Sequence, residues 1–532
     1  MGKKISWGDQ GNGFYRNPVL NADYPDVDIQ QVGDTYYMIA SKKTMVPGMV
    51  ILESKDMVNW SLLGHVWDKL TWDPKYNWDQ MNGYPYGVWA GDLAYHDGTW
   101  YCYHIDATVG VIMSSAENIT GPWTEPYVMR RNSEISNAPY CDDPGVYWDE
   151  EEHQAYLGLN AGPTGEGGVT EIRMFKMSWD GRELLDEGEI IYHGPGAEAL
   201  KIYRLHGYWY LFMAEWFFSD DAPRKIPSPI HDRKQIVLRS KTNSIYGPYD
   251  KKVVLQRGNG IERSCSQGAL LQAPDQSWWY LHQLIQNCDH PFEGRPQMLE
   301  PVEWINGWPL IGKDINNDDI GEPVIEYKKP IDGYPITRPH TNDEFEQTEL
   351  TPQWEWNHNP RNTHWSLTDR PGHLRLSASL PVNDGGFMKA CNTISQRVMG
   401  TGQGEATAKI DISGMAAGQK AGFARFGGAH NLLGVVVDQT GEKRIYFESS
   451  TGVFQLGPVI EQDTLYLRST NNSYNAKFYY SFDNKAFVQF GPEFLLVFGR
   501  WLGDRLGLYS YNELSEKGYL DIDWFHYEYF DE

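Results

Sequence analysis

Basic residues are the first shortage. Against 71 Asp and Glu the chain sets 46 Lys and Arg, a formal net charge of −25. A protein that holds nucleic acid or lies on an anionic membrane needs a basic footprint. None is visible, so both partner classes drop out. Cysteine is scarce too: five in 532 residues, at 102, 141, 265, 288 and 391, with no CxxC pair. That argues against a disulfide framework and a structural zinc site. No apolar run is long enough for a membrane-spanning helix, and the opening MGKKISWGDQGNGFYRNP lacks the apolar stretch of a signal peptide. The chain reads as soluble. Its compartment stays open between secreted or periplasmic, with a leader removed, and cytoplasmic. Its oligomeric state is not legible.

What the chain has in plenty is aromatics: 21 Trp, 33 Tyr and 20 Phe, or 14%. Many belong to cores, but flat rings also cover the apolar faces of sugars. At 532 residues the chain exceeds a single core, so two or more domains are expected.

One pattern recurs through the first 330 residues: a polar turn followed by an aromatic strand. It reads VGDTYYMIAS (32–41), HDGTWYCYHI (96–105), DEEEHQAYLGLN (149–160), LHGYWYLFMAE (205–215) and PDQSWWYLHQ (274–283). A second signature often follows, as in SKDMVNWSLLG (54–64), SSAENITGPWTEPY (114–127) and SKTNSIYGPYDKK (240–252). Regular sets of short strands mean blades. Five units of four strands make an all-β fold, a five-bladed β-propeller, whose radial closure leaves only short edges. The propeller is assigned to 1–328. The segment 329–342, in KKPIDGYPITRPHTN, has the Pro, Gly and charge of a linker. Alternating strands such as TLYLRST, NAKFYYSF and YLDIDWFHYEYF then predict a β-sandwich over 343–532, with no long helix.

In a propeller, residues at the start of the inner strands converge on one end of the axis. Three carboxylates hold such places: Asp26 in YPDVD, Asp143 in CDDPGVYW and Glu198 in AEALKIY. Any one alone reads as a turn former. Three at comparable places suit glycoside hydrolysis, in which one acid protonates the leaving oxygen and a second carboxylate attacks or activates water. Apolar neighbours would partly desolvate each, and desolvation raises a carboxylate pKa.

At this point the chain resembles glycoside hydrolase family 43, the β-xylosidase and α-L-arabinofuranosidase family. The resemblance rests on NPVLNADYPDVDIQQVGDTYYM, PGMVILESKDMVNWSLLGHV, GVWAGDLAYHDGTWY, DDPGVYWDEEEHQAYL, EALKIYRLHGYWYL and GRPQMLEPVEWINGWPLIG, in family order. It extends to the C-terminal domain of many members, a concanavalin-A-like sandwich, through QWEWNHNPRNTHWSLTDRPGHLRL. It implies an inverting enzyme on oligo- or polysaccharides. Asp26 would be the general base and Glu198 the general acid, with Asp143 modulating the acid's pKa. Arg295 would bind the sugar ring and offset the acidic cluster, and Trp89 would form an apolar wall. Asp142 is ranked below Asp143, on the wrong side of a strand. Asp28 is read as structural, bonding backbone in the turn after Asp26.

Departures shape the expected specificity. SKKTMVPG replaces the aromatic-rich loop of the xylosidase branch, with Lys43 and Met45 in place of pocket aromatics. Glu198-Ala-Leu-Lys replaces E-G-P-H. Gln267 aligns with a family histidine near the axis and is counted among the substrate-binding residues. In some members that histidine sits beside a calcium ion or water. Gln can ligate calcium through oxygen, so a structural calcium at the axis stays open, while no metal ligands are assigned and no cofactor is required. Arg505 aligns with an aromatic that some xylosidases reach into the pocket. Together these favour an exo-acting α-L-arabinofuranosidase on arabinoxylan or arabinan, with exo-β-1,4-xylosidase as the alternative. A non-catalytic carbohydrate-binding propeller would lose an acid, and all three are present. A retaining fructosidase would want an N-D-P-N-G-type motif, which YPDVD is not.

Overall fold

The computed structural model describes residues 5–135, 140–162, 169–217, 232–285, 291–499 and 501–531. Cys288 therefore lies outside the described residues; the other four cysteines are buried and free. Among the described residues the only helical pieces are short 3-10 turns such as Pro74–Tyr76.

Five four-stranded antiparallel sheets follow one another along the chain. The first comprises Asp28–Val32, Thr35–Ala40, Gly48–Ser54 and Ser61–Trp67. The next four open with Gly91–His96, Cys141–Asp149, Glu198–Leu205 and Ser264–Gln272. These five opening strands touch one another in a closed ring, so each sheet radiates outward from its first strand. The recurring turn-plus-aromatic pattern is the hairpin from first to second strand, and the second signature is the turn from third to fourth. Aromatics of the second strands fill the gaps between blades: Tyr101 of the second blade packs 5.1 Å from Trp148 of the third. A small sheet joins the two ends of the ring, with Phe14–Arg16 paired between Gly8–Asp9 and Glu326–Lys328.

The C-terminal part is two stacked antiparallel sheets. Phe423 of one meets Phe478 and Phe525 of the other, ring centroids about 6 Å apart. The first of these sheets takes its edge strand, Met45–Val46, from the propeller, paired with Glu355–Asn357. Met45 is thus buried with Phe387 and Tyr509 on the sandwich side. This corrects its reading as a pocket residue. Behind it, Glu355 is fully buried between Arg397, Arg505 and Lys42, the last at 3.2 Å. Burial opposes its charge, but the two guanidiniums and the ammonium hold it well below the ordinary carboxylate range. Arg505 is a buried partner in this ion cluster, unlike the pocket residue that the sequence alignment implied. The segment 329–342 has no strand, yet it is pinned to the propeller: Lys329 Nζ lies 2.6 Å from Asp9 and 3.0 Å from Asp56, and Thr337 N donates to Asn59 at 2.9 Å.

Candidate active site

A cavity of about 170 Å³ opens at one end of the axis. All five blades and one sandwich residue line it. It is smaller than the roughly 300–1,000 Å³ of drug-sized ligand sites, a size suited to one sugar unit. Asp26, Trp89, Asp143, Glu198, Gln267 and Arg295 all border it, so the structure brings together every site residue expected from sequence.

Local backbone explains the convergence. The innermost strands are irregular at this end. Register breaks between Asp142 and Gly145, between Glu198 and Lys201, and between Ser266 and Gly268. Asp26, Asp143, Ala199 and Gln267 all take left-handed backbone, φ 49–62°. Bulges re-aim side chains, and such strained positions gather at functional sites. The bulge also breaks strict alternation, so Asp142 lines the pocket beside Asp143. It does not point to the far side of the strand as its sequence position suggests. On the opposite wall, Gly87 (φ 113°) lets the 41–48 loop close in; a Cβ there would sit 2.2 Å from Lys43 O. That contact places Lys43 Nζ over the Trp89 ring at 4.7 Å.

Asp26 is ringed by donors. Ser41 Oγ donates to its Oδ2 at 2.5 Å, Gln283 Nε2 to its Oδ1 at 3.1 Å and Arg295 Nη1 to its Oδ1 at 2.6 Å, with Lys43 Nζ 3.5 Å away. Burial pushes this carboxyl up, but Arg295 and Lys43 outweigh it and hold the group well below its usual range. Glu198 is the reverse case. Burial raises it, and the opposing Arg233, whose Nε lies 2.8 Å from Oε1, does not cancel that rise. Gln267 Nε2 donates to the same Oε1 at 2.8 Å. Gln267 and Gln283 also touch, so a bridge of amides runs from Glu198 to Asp26. Asp143 Oδ2 accepts from Ala199 N at 2.8 Å, next to Glu198. Burial and the charges of Glu198 and Asp26 push Asp143 up to about 7.

Several residues here escaped the sequence reading. Asp23 binds Arg295 N (3.1 Å) and Gly503 N (2.8 Å), clamping a propeller loop to a sandwich loop. That second loop carries Trp501, which lines the pocket and accepts from Arg295 Nη2 through its carbonyl at 3.4 Å. Trp501 thus brings an aromatic from the sandwich to the pocket, four residues before Arg505, the position that the sequence aligned with a family aromatic. Asn160 also lines the pocket, 4% exposed, and its Oδ1 has no hydrogen-bond donor. Asp28 is structural as expected but bonds elsewhere: it accepts from Leu93 N of the next blade at 2.7 Å and pairs with Lys201 at 3.2 Å.

The axial calcium that the family resemblance left open does not fit this donor set. Lys201 Nζ already stands among the oxygens that face the axis, those of Asp28, Asp92 and Gly91. Among the described residues no group of three or more His, Cys, Asp or Glu is placed to hold a metal.

Opposed carboxylates in an indole-walled pocket are the equipment of sugar-bond hydrolysis, and comparison with known proteins agrees that the chain is a glycoside hydrolase. The model for glycosyl hydrolases family 43 matches residues 15–309, and that for the β-xylosidase C-terminal concanavalin A-like domain matches 342–528. The chain belongs to glycosyl hydrolase family 43. It is 56% identical to a β-xylosidase of Formosa agariphila over 98% of this chain and 92% of the relative. It is 34% identical to a putative β-xylosidase of Xylanibacter ruminicola, covering 94% and 87%. A non-reducing-end α-L-arabinofuranosidase of Bacteroides ovatus is 28% identical over 69% of this chain and 65% of its own. Among solved structures, a xylan β-1,4-xylosidase from Bacillus halodurans superposes with TM-score 0.82 over 97% of this chain and all of that one. At 21% identity it speaks for the fold alone.

Proposed function

We propose that this protein is an exo-acting β-xylosidase that removes terminal xylose from xylo-oligosaccharides by an inverting mechanism. Arabinofuranosidase led the sequence reading, and two of its grounds were Met45 and Arg505. Neither residue faces the pocket, whereas Trp501 does. The relatives at 56% and 34% identity carry the β-xylosidase name, and the arabinofuranosidase is more distant.

The observation that carries the mechanism is the pair of acids pushed in opposite directions within one pocket. Such a split marks Asp26 as the base; among the raised carboxyls Glu198, Asp143 and Asp142, the family resemblance selects Glu198 as the acid. Glu198, raised, keeps its proton and donates it to the glycosidic oxygen. Asp26, lowered, is ionised and takes a proton from the attacking water. Asp143, itself pushed up to about 7, interacts with Glu198 so that the two do not readily ionise together, and it accepts from Ala199 N beside that acid. Arg295, Trp89, Trp501 and Gln267 seat the terminal sugar, and the small volume of the cavity supports cleavage from a chain end. Sugar release tests the reading: xylose from linear xylo-oligosaccharides, lost in Glu198→Ala, is expected. Arabinose from arabinoxylan with no xylose from linear oligosaccharides would restore the arabinofuranosidase reading.

A further inference from the structure

A narrow cavity continues along the axis beneath the catalytic pocket, bordered by the innermost strands of all five blades. Lys201 borders it and is 6% exposed. Its Nζ lies 3.2 Å from Asp28 Oδ1, 3.3 Å from Asp92 Oδ2 and 3.0 Å from Gly91 O. An ammonium has three donors, and here each meets one oxygen. Two carboxylates and a carbonyl converging on one point are the donors a hard divalent cation would use. In this chain a side chain occupies the point instead.

The connectivity gives the contact a second consequence. Asp28 lies two residues past Asp26 on the first blade. Lys201 lies three residues past Glu198 on the fourth. Asp92 and Gly91 belong to the second. The ammonium therefore ties the strand that carries one reacting carboxylate to the strand that carries the other, across the axis. The group is electrostatically tight: burial and the neighbouring Asp28 push Asp92 up to about 7, and the two carboxylates raise Lys201 against burial. Removing the ammonium leaves two buried carboxylates facing each other with no cation between them.

We propose that Lys201 is a built-in axial cation, standing where a divalent metal would otherwise bind and acting as a positioning residue that holds Glu198 and Asp26 in register. The positioning half rests on the roles proposed for those two acids; the metal half does not.

The test uses the full chain and calcium itself as the probe. Wild-type enzyme, equilibrated with calcium and then freed of unbound ion, is assayed for metal by elemental mass spectrometry. Its thermal unfolding is followed with calcium or with chelator. The expected result is no bound calcium and one unchanged melting temperature. In Lys201→Ala the emptied oxygen cluster should accept calcium. Without the ion its kcat should fall about tenfold or more, as expected for a sub-ångström misplacement of reacting groups, with KM changed less. With calcium, melting temperature and kcat should both recover toward wild type. About one calcium per wild-type chain, or a wild-type melting point raised by calcium, would overturn the proposal. So would a Lys201→Ala enzyme that matches wild type in both melting point and kcat without calcium. If that variant fails to accumulate, the wild-type metal measurements decide alone. A wild type that cleaves no xyloside would remove the β-xylosidase reading and leave the metal result standing.

Discussion

Replacing Arg295 by Met removes the cation that faces Asp26 while keeping an unbranched side chain in its place. Nη1 lies 2.6 Å from Asp26 Oδ1, and both side chains are buried. Burial by itself would raise this carboxyl; Arg295 is the larger of the two cations that hold it down, and Lys43 is the other. Unit charges about 4 Å apart at an effective dielectric of about 20 interact by about 4 kcal/mol. That corresponds to about 3 pKa units. Lys43 remains and the site relaxes, so a rise of about 2 units is the working expectation. A general base must be ionised, so its pKa sets the acidic limb of kcat/KM. The limb should therefore move to higher pH by about 2 units. The stability sign follows from the same shift. A depressed carboxylate contributes stability above its unfolded pKa and loses it as pH falls through the folded value. Wild type should exceed the variant in stability near neutrality, and the gap should narrow toward acid pH. The assay is kcat/KM for an aryl β-xyloside across pH, with circular dichroism to confirm folding. An acidic limb that coincides with wild type in a folded variant would refute the pairing of Arg295 with an ionised base at Asp26.

Other substitutions probe the remaining walls. Glu198→Gln should lower kcat by roughly 10²–10⁴ on oligosaccharides, and much less on aryl glycosides whose leaving group needs no proton, measured as the ratio between the two substrates. Asp143→Asn removes the carboxyl that interacts with Glu198 and that becomes charged only around pH 7 and above, so the basic limb of kcat/KM should shift to lower pH by about 1 unit; an unmoved limb would deny Asp143 that role. Asn160→Leu should cost about 1–3 kcal/mol of transition-state binding if its free Oδ1 accepts from a sugar hydroxyl, read as a fall in kcat/KM that disappears with the corresponding deoxy substrate.

The parts of the fold legible in sequence were those written in local chemistry. Turn residues before aromatic strands, as in VGDTYYMIA and HDGTWYCYHI, mark the first hairpin of each blade because turn and strand preferences act over a few residues. The convergence of Asp26, Asp143 and Glu198 followed from blade geometry. What stayed hidden was non-local. The bulge that turns Asp142 into the pocket is a register event between strands, invisible in a single strand's pattern. The loss of Met45 to the sandwich depends on pairing with Asn357, more than 300 residues away. Trp501 reaches the pocket because Asp23 anchors Gly503, and no spacing rule encodes that anchor. Gln419–Phe426, a central sandwich strand, buries a charge, Arg425, which pairs with Asp504 at 2.6 Å, a contact that no local pattern shows. The acid pKa split likewise needs distances: Asp26 and Asp143 look alike in sequence, and the placement of Arg295 and Lys43 beside Asp26, and of Glu198 beside Asp143, separates them.

In the proposed reaction water, activated by Asp26, attacks the sugar opposite the bond that Glu198 protonates. The most direct measurement is proton NMR of the anomeric signals during the first moments of xylobiose hydrolysis. Direct displacement by water predicts α-xylose from the non-reducing end, appearing before mutarotation produces the β anomer. If β-xylose appears first, a covalent intermediate has formed, and the assignment of Asp26 as a base acting on water is wrong.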